Sequence, residues 1–234
     1  MKSSLTTSFM RALLSSILAV ALLVPARDAA GQMPATPVLQ NAWTNAGITV
    51  AGDFGRRSDA SAYALALAWA PKGSRFQLSV GGGVLDDTIS TRGAYGGRLS
   101  IPLFGFAGGR LGTAAFGGVG FATGAGGVRE SAFPMGLAFG FRHALGPTRG
   151  ISVYAAPFAL LIRSKKDSVP GALEAPLDKK NTLFRTSVGV DVTLASQFGI
   201  TVGYEDGARA GEKEFGPSSG VFGVALSYAL RRQQ

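Results

Sequence analysis

The feature that most restricts what this chain can fold into is a period of two. From Trp43 onward, bulky apolar residues alternate with small or polar ones over segments of about nine to twelve residues, and each segment ends in a turn or a loop. About ten such segments follow one another, over 46–54, 62–70, 75–84, 95–103, 111–123, 133–143, 151–162, 182–194, 198–205 and 221–230. Successive side chains of a strand point to opposite faces, so this pattern predicts strands that are greasy on one side only.

One face carries Tyr63, Leu65, Leu67 and Trp69, then Phe76, Leu78, Val80 and Val84, and later Phe133, Met135, Leu137, Phe139 and Phe141. The other face is mostly Gly, Ala, Ser and Thr, with Gln77, Arg98, Arg142, Arg185, Asp191 and Glu205 set among them. Alternation alone does not say which face points inward. A soluble barrel would show water a face rich in Lys, Glu, Gln and Thr, whereas small residues suit a narrow interior, which puts the apolar face toward lipid. Segments 111–123 and 151–162 mix small and apolar residues on both faces, and Pro157 removes a ladder donor in the second.

Composition agrees with one membrane-embedded domain. The 234 residues include 34 glycines, no cysteine and 16% charged residues, which excludes a disulfide scaffold and argues against disorder. Beyond the N-terminus no apolar run approaches the roughly 20 residues of a spanning helix, leaving a closed barrel as the way across a bilayer. The formal charge of +9 falls to about +7 without Lys2, Arg11, Arg27 and Asp28. No Arg/Lys-rich helix, zinc-ligand spacing or ribonucleoprotein-like aromatic motif accompanies it, so nucleic acid is not the expected partner; an anionic lipid headgroup or lipopolysaccharide is.

The connections alternate in length. Pro71-Lys72-Gly73-Ser74, 105–109, 146–150 and 196–197 are tight, whereas 56–61, 86–94, 124–131, 163–181 and 206–219 are longer and polar. Short periplasmic turns opposite longer extracellular loops are the asymmetry of outer-membrane barrels. With the first strand running outward, Trp43, Trp69, Phe76, Phe141, Phe198 and Tyr228 fall near the inner interface. Tyr63, Tyr95, Phe133, Phe184, Tyr204 and Phe222 fall near the outer one. The organisation expected is a secretory signal over 1–31, with Ala29-Ala30-Gly31 as its small-residue cleavage site, a short periplasmic segment over 32–42, the barrel over 43–230 and a tail over 231–234.

The last segment, Gly223-Val224-Ala225-Leu226-Ser227-Tyr228-Ala229-Leu230, resembles the glycine-then-alternating-hydrophobic ending of small bacterial outer-membrane barrels, and everything after residue 42 looks like that family in the broad OmpA/OmpX-like sense. The family usually ends on an aromatic residue; here Leu230 is followed by Arg231, Arg232, Gln233 and Gln234. The resemblance implies an all-β, closed, antiparallel up-and-down transmembrane barrel of about ten strands, with eight as the alternative. It also implies Sec-type export, recognition by the barrel assembly machinery, and residence in the outer membrane among its lipids and lipopolysaccharide.

Chemistry is sparse. His143 is the only histidine, which removes multi-histidine metal sites, and its expected place at the periplasmic rim separates it from the outer-rim sites of barrel enzymes. Asp86-Asp87, followed by Arg92, offers paired carboxylates without an identifiable partner. Gly81-Gly82-Gly83 and Gly118-Val119-Gly120 lack the following helix and the Gly-Lys-Ser/Thr ending of a phosphate cradle, and read as close packing in a narrow barrel. The loop over 163–181, with Lys165, Lys166, Lys179, Lys180, Pro170 and Pro176, is long enough to meet a surface partner.

No catalytic, metal-binding or cofactor-binding residue is assigned. The one candidate constellation is a lumen ion-pair network of Arg98, Arg142, Arg185, Asp191 and Glu205. Three functions follow in order of preference: a non-enzymatic barrel serving envelope integrity or surface interaction, a narrow passive channel, and a barrel enzyme acting on lipid or peptide.

Overall fold

A computed structural model of the chain describes residues 47–56, 60–87, 91–123, 128–166, 177–195, 197–208 and 221–231. The expected signal, the segment over 32–42, Trp43, Pro170 and Pro176 lie outside them. Ten strands make the wall: β1 (Gly47–Arg56), β2 (Ala60–Ala70), β3 (Gln77–Asp87), β4 (Thr91–Phe106), β5 (Leu111–Thr123), β6 (Arg129–Ala144), β7 (Gly150–Lys166), β8 (Leu177–Thr193), β9 (Phe198–Ala208) and β10 (Val221–Arg231). Each strand pairs antiparallel with its sequence neighbours, and β1 pairs with β10 to close the ring. The barrel thus has ten strands rather than eight. Closure leaves no edge whose N–H and C=O groups would have to face hydrocarbon.

The tight links sit where turn chemistry puts them. Ser74 N–H donates to Pro71 C=O at 3.0 Å, and Gly109 N–H to Phe106 C=O at 3.0 Å. Ala107, Gly108 and Gly109 all have positive φ, at 52°, 64° and 78°, a left-handed run that only glycine enters without steric cost.

Side-chain direction follows the period of two. Leu65, Leu67, Val80, Tyr95, Met135, Phe139, Phe184 and Leu226 all stand exposed on the outside, while Ala66, Ser79, Ala94, Ser100, Ala138 and Ala225 are buried inside. Burying the bulky residues in lipid and the small ones in a narrow lumen satisfies both solvents at once. Among the described residues no helix is long and apolar enough to cross a membrane.

Two segments that alternation left unassigned acquire faces. In β5, Phe116 turns inward and Leu111 and Phe121 outward; in β7, Tyr154, Phe158 and Leu160 turn inward and Val153 and Leu161 outward. The prolines mark breaks in the ladder. Pairing of β5 with β6 skips from Gly117↔Met135 to Gly120↔Ala132 around Pro134. Pairing of β6 with β7 skips from Gly136↔Phe158 to Phe139↔Ala155 around Pro157. A residue without an N–H keeps its missing donor at an unpaired position.

The main departure from the sequence reading is in strand length. β7 runs on past residue 162 to Lys166, and β8 begins at Leu177 rather than 182, so much of the expected loop over 163–181 is a paired ladder with Arg163 opposite Lys180 and Lys165 opposite Asp178. Above the bilayer a strand meets water on its outer face, so apolar alternation stops while backbone pairing continues. Seventeen residues at about 3.3 Å each, tilted by about 40°, rise roughly 40 Å, which exceeds the roughly 30 Å of a hydrocarbon core. Because outward apolar residues stop at Leu161 on β7 and begin at Phe184 on β8, the loop end of this hairpin extends beyond the apolar band.

Candidate functional site in the lumen

Strand register sets the lumen in rungs. Ser152 on β7, Asp191 on β8 and Thr201 on β9 are directly opposite one another, and the same rung continues through Ala225 to Asp53 on β1. Ser152 Oγ donates to Asp191 Oδ2 at 3.0 Å, and Thr201 bonds the same carboxylate from the other side. Asp191 is thereby tied to both neighbouring strands, and the two hydroxyls satisfy a buried acceptor that would otherwise be costly.

One rung toward the loops, Tyr154 is opposite Gly189, which is opposite Gly203, then Gly223, then Gly55. The glycines leave an open strip, and the phenol ring lies across it. A Cβ on Gly189 would stand 2.6 Å from Tyr154 Cζ and 2.6 Å from Val202 C=O, closer than real side chains come. The Tyr154 hydroxyl rests beside Ser187, and Arg98 on β4 has Asp53 and Tyr154 as its electrostatic neighbours. Asp53 makes no hydrogen bond of its own among the described residues and meets Arg98 through charge alone.

The next rung holds a buried ion pair. Glu205 is opposite Ser187, and Arg185 reaches diagonally to it, Nε to Oε1 at 2.6 Å, with side chains only 0% and 5% exposed. Beside them Phe116, Phe158, Leu160 and Leu183 pack with Ala132, Ala138 and Ala156 into an apolar cluster, the rings of Phe116 and Phe158 being 6.0 Å apart. These are inward-facing side chains, yet water does not reach them. At this level the cross-section on the β5 to β9 side is filled by protein, as a lumen of about ten strands permits.

Below the filled layer a cavity of about 600 Å³ opens at the turn end. Arg110, Arg142, His143 and Arg149 line its mouth, and Gln77, Arg98, Asp191 and Thr201 its depth. Of the five residues expected to form a lumen network, Arg185 and Glu205 meet directly, Asp191 lies two rungs below, Arg98 has Asp53 and Tyr154 as its neighbours, and Arg142 stands exposed at the mouth, where its Nε donates to Gly109 C=O at 3.1 Å. Alternation reports a side chain's face but not its height, which is why a strand-end arginine shared a list with buried ones. Asp53 and Tyr154 were missed. Asp53 was visible in the phase of Thr49, Ala51 and Gly55, whereas Tyr154 sat in a segment with no readable phase.

The other sequence candidates fall outside this centre. His143 is exposed at the turn end opposite Ile151. Asp86 accepts a 2.7 Å hydrogen bond from Thr91 Oγ1 at the loop end, and the side chain of Asp87 is not among those described. Gly81 is opposite Gly96, and Gly118 is opposite Arg98, so both glycine runs are wall.

No protein-family model and no curated protein sequence matches the chain. Among solved structures, it is similar to the N-terminal β-barrel domain of Pseudomonas aeruginosa OprF, at 9% identity over 79% of this chain and 100% of that one, with a TM-score of 0.37. It is similar to Neisserial surface protein A at 12% identity, 80% and 100% coverage and a TM-score of 0.38. The translocator domain of autotransporter NalP from Neisseria meningitidis gives 13% identity, 77% and 85% coverage and a TM-score of 0.47.

Proposed function

We propose that the chain is an integral outer-membrane barrel without enzymatic activity, whose filled mid-section makes it a structural and surface-presenting element of the envelope rather than an open pore. The observation that carries this is the buried layer of Arg185, Glu205, Phe116, Phe158 and Leu160 that fills the β5 to β9 side of the lumen. An apolar exterior band and a hairpin rising clear of the bilayer supply the anchoring and the exposed surface. On this reading the expected signal over 1–31 directs export and is removed.

Reconstitution of the mature protein in planar bilayers tests the reading. Wild-type protein is expected to be silent apart from rare brief openings. A steady ohmic conductance of the folded barrel would sink it and favour the second reading, a narrow anion pathway, for which the arginine-lined cavity at the turn end is the specific support. Fractionation with the outer membrane and a heat-dependent gel shift are expected of the same protein.

A further inference from the structure

We propose that the loop end of β6, β7 and β8 carries, on its lipid-facing side, a binding site for the headgroup phosphates of an outer-leaflet lipid, formed by Arg129, Arg163, Lys165 and Lys180. The proposal deepens the structural reading above and rests on it, since it requires the barrel to sit in an outer membrane.

Register brings these side chains together. Arg129 is opposite Lys165, Lys165 is opposite Asp178, and Arg163 is opposite Lys180. Their face is fixed by parity. Along β6, Arg129 shares the side of Phe133; along β7, Arg163 and Lys165 share the side of Leu161; along β8, Asp178 and Lys180 share the side of Phe184. Phe133, Leu161 and Phe184 are exposed on the outside of the wall, so the cations project outward as well, not into the lumen.

The described side chains of this face are mainly cationic. Asp178 is its one carboxylate among the described residues, and it accepts two hydrogen bonds from Arg163, Nε to Oδ1 at 3.0 Å and Nη2 to Oδ2 at 2.7 Å. Lys165 and Lys180 are its further electrostatic neighbours. Among the described residues one acid stands with four cations on this face, and its paired bonds to Arg163 fix the geometry of the cluster.

Height selects the ligand. Arg163 lies two residues and Lys165 four residues beyond Leu161, about 5–10 Å along the barrel axis after tilt, so the cations span the depth of a headgroup layer above the last outward apolar residues. An acidic protein or a nucleic acid would answer the charge but not the apolar residues directly below it. A lipid with phosphate above and acyl chains below answers both, and its phosphates can be shared between cations on three adjacent strands.

The test uses full-length mature barrel in phosphatidylcholine nanodiscs doped with lipid A or with its fully dephosphorylated form, and measures lipid retained after detergent exchange. Wild type is expected to retain the phosphorylated lipid roughly tenfold better. The triple variant Arg129→Gln, Lys165→Gln, Lys180→Gln should lose that preference, and Arg75→Gln in the link between β2 and β3 with Arg149→Gln in the link between β6 and β7, both at the opposite rim, should keep it. Equal retention of the two lipids by wild type, an unchanged preference in the triple variant, or its equal loss in the opposite-rim variant would each overturn the site. Full competition by millimolar inorganic phosphate would also overturn it, by showing a small-anion site in place of a lipid site. Heat-dependent gel mobility of every sample separates the two levels: a chain that never folds into a bilayer sinks the membrane reading, whereas a folded barrel with unselective lipid sinks only this site.

Discussion

Arg185 and Glu205 meet at 2.6 Å although they are not opposite each other in the ladder; Ser187 is the residue facing Glu205, and the guanidinium crosses one rung to reach the carboxylate. The contact ties β8 to β9 inside the wall, where neither side chain is wetted. Removing one partner strands the other charge out of water. Glu205→Ala is expected to destabilise the folded barrel by about 3–5 kcal/mol, and replacing both residues by methionine to recover much of the loss. Urea unfolding from lipid vesicles measures both; equal loss in the single and double variants would contradict the buried pair.

The glycine strip under Tyr154 makes a second prediction. Gly189→Ala puts a methyl group against the phenol ring and the Val202 carbonyl, and should cost about 1–3 kcal/mol as overpacking does elsewhere. Combining it with Tyr154→Leu should relieve the clash in part, so the two changes together cost less than their sum. Strict additivity in unfolding midpoints would show that the ring does not lie there.

The outward face can be tested where it is plainest. Leu67 and Val80 are opposite each other and exposed, flanked along their strands by the exposed Leu65, Trp69 and Leu78. An arginine at either position is expected to cost about 2–4 kcal/mol in a lipid-embedded barrel. Little change in folding into vesicles would mean that this surface faces water.

Asp178 gives the pH dependence. Its carboxyl lies outside the membrane-spanning part, and the hydrogen bonds from Arg163 hold it below its ordinary value of 3.8. A depressed acid contributes stability above its unfolded value and loses it as pH falls through the folded one. Hydrogen-exchange protection of the β7 and β8 loop ends should therefore be level from neutral pH to about 4 and fall below that. Asp178→Asn should start lower and lack that fall. An identical acid profile in the variant would assign the loss to another group.

The fold was legible because lipid leaves one unambiguous mark, the bulky residue at every second position, and Leu65, Leu67, Phe139 and Leu226 carry it on the outside as read. Legibility failed where the lumen is also apolar. Phe116, Phe158 and Leu160 fill the interior with the same residue types that coat the exterior, so β5 and β7 show no contrast between faces. It failed again at Lys165 and Asp178, where polarity suggested a loop and backbone pairing continued regardless. The rung of Tyr154, Gly189, Gly203, Gly223 and Gly55 is a property of register between strands, which one strand's pattern does not contain.

The seam joining β1 to β10 has a consequence for biosynthesis. The two partners are the first and last of the described strands, so a folded wall keeps two unsatisfied margins until β10 pairs with β1. A chain truncated before β10 would not yield a nine-stranded barrel of smaller bore. It would present both margins to other chains, which makes early termination a route to aggregation rather than to partial function.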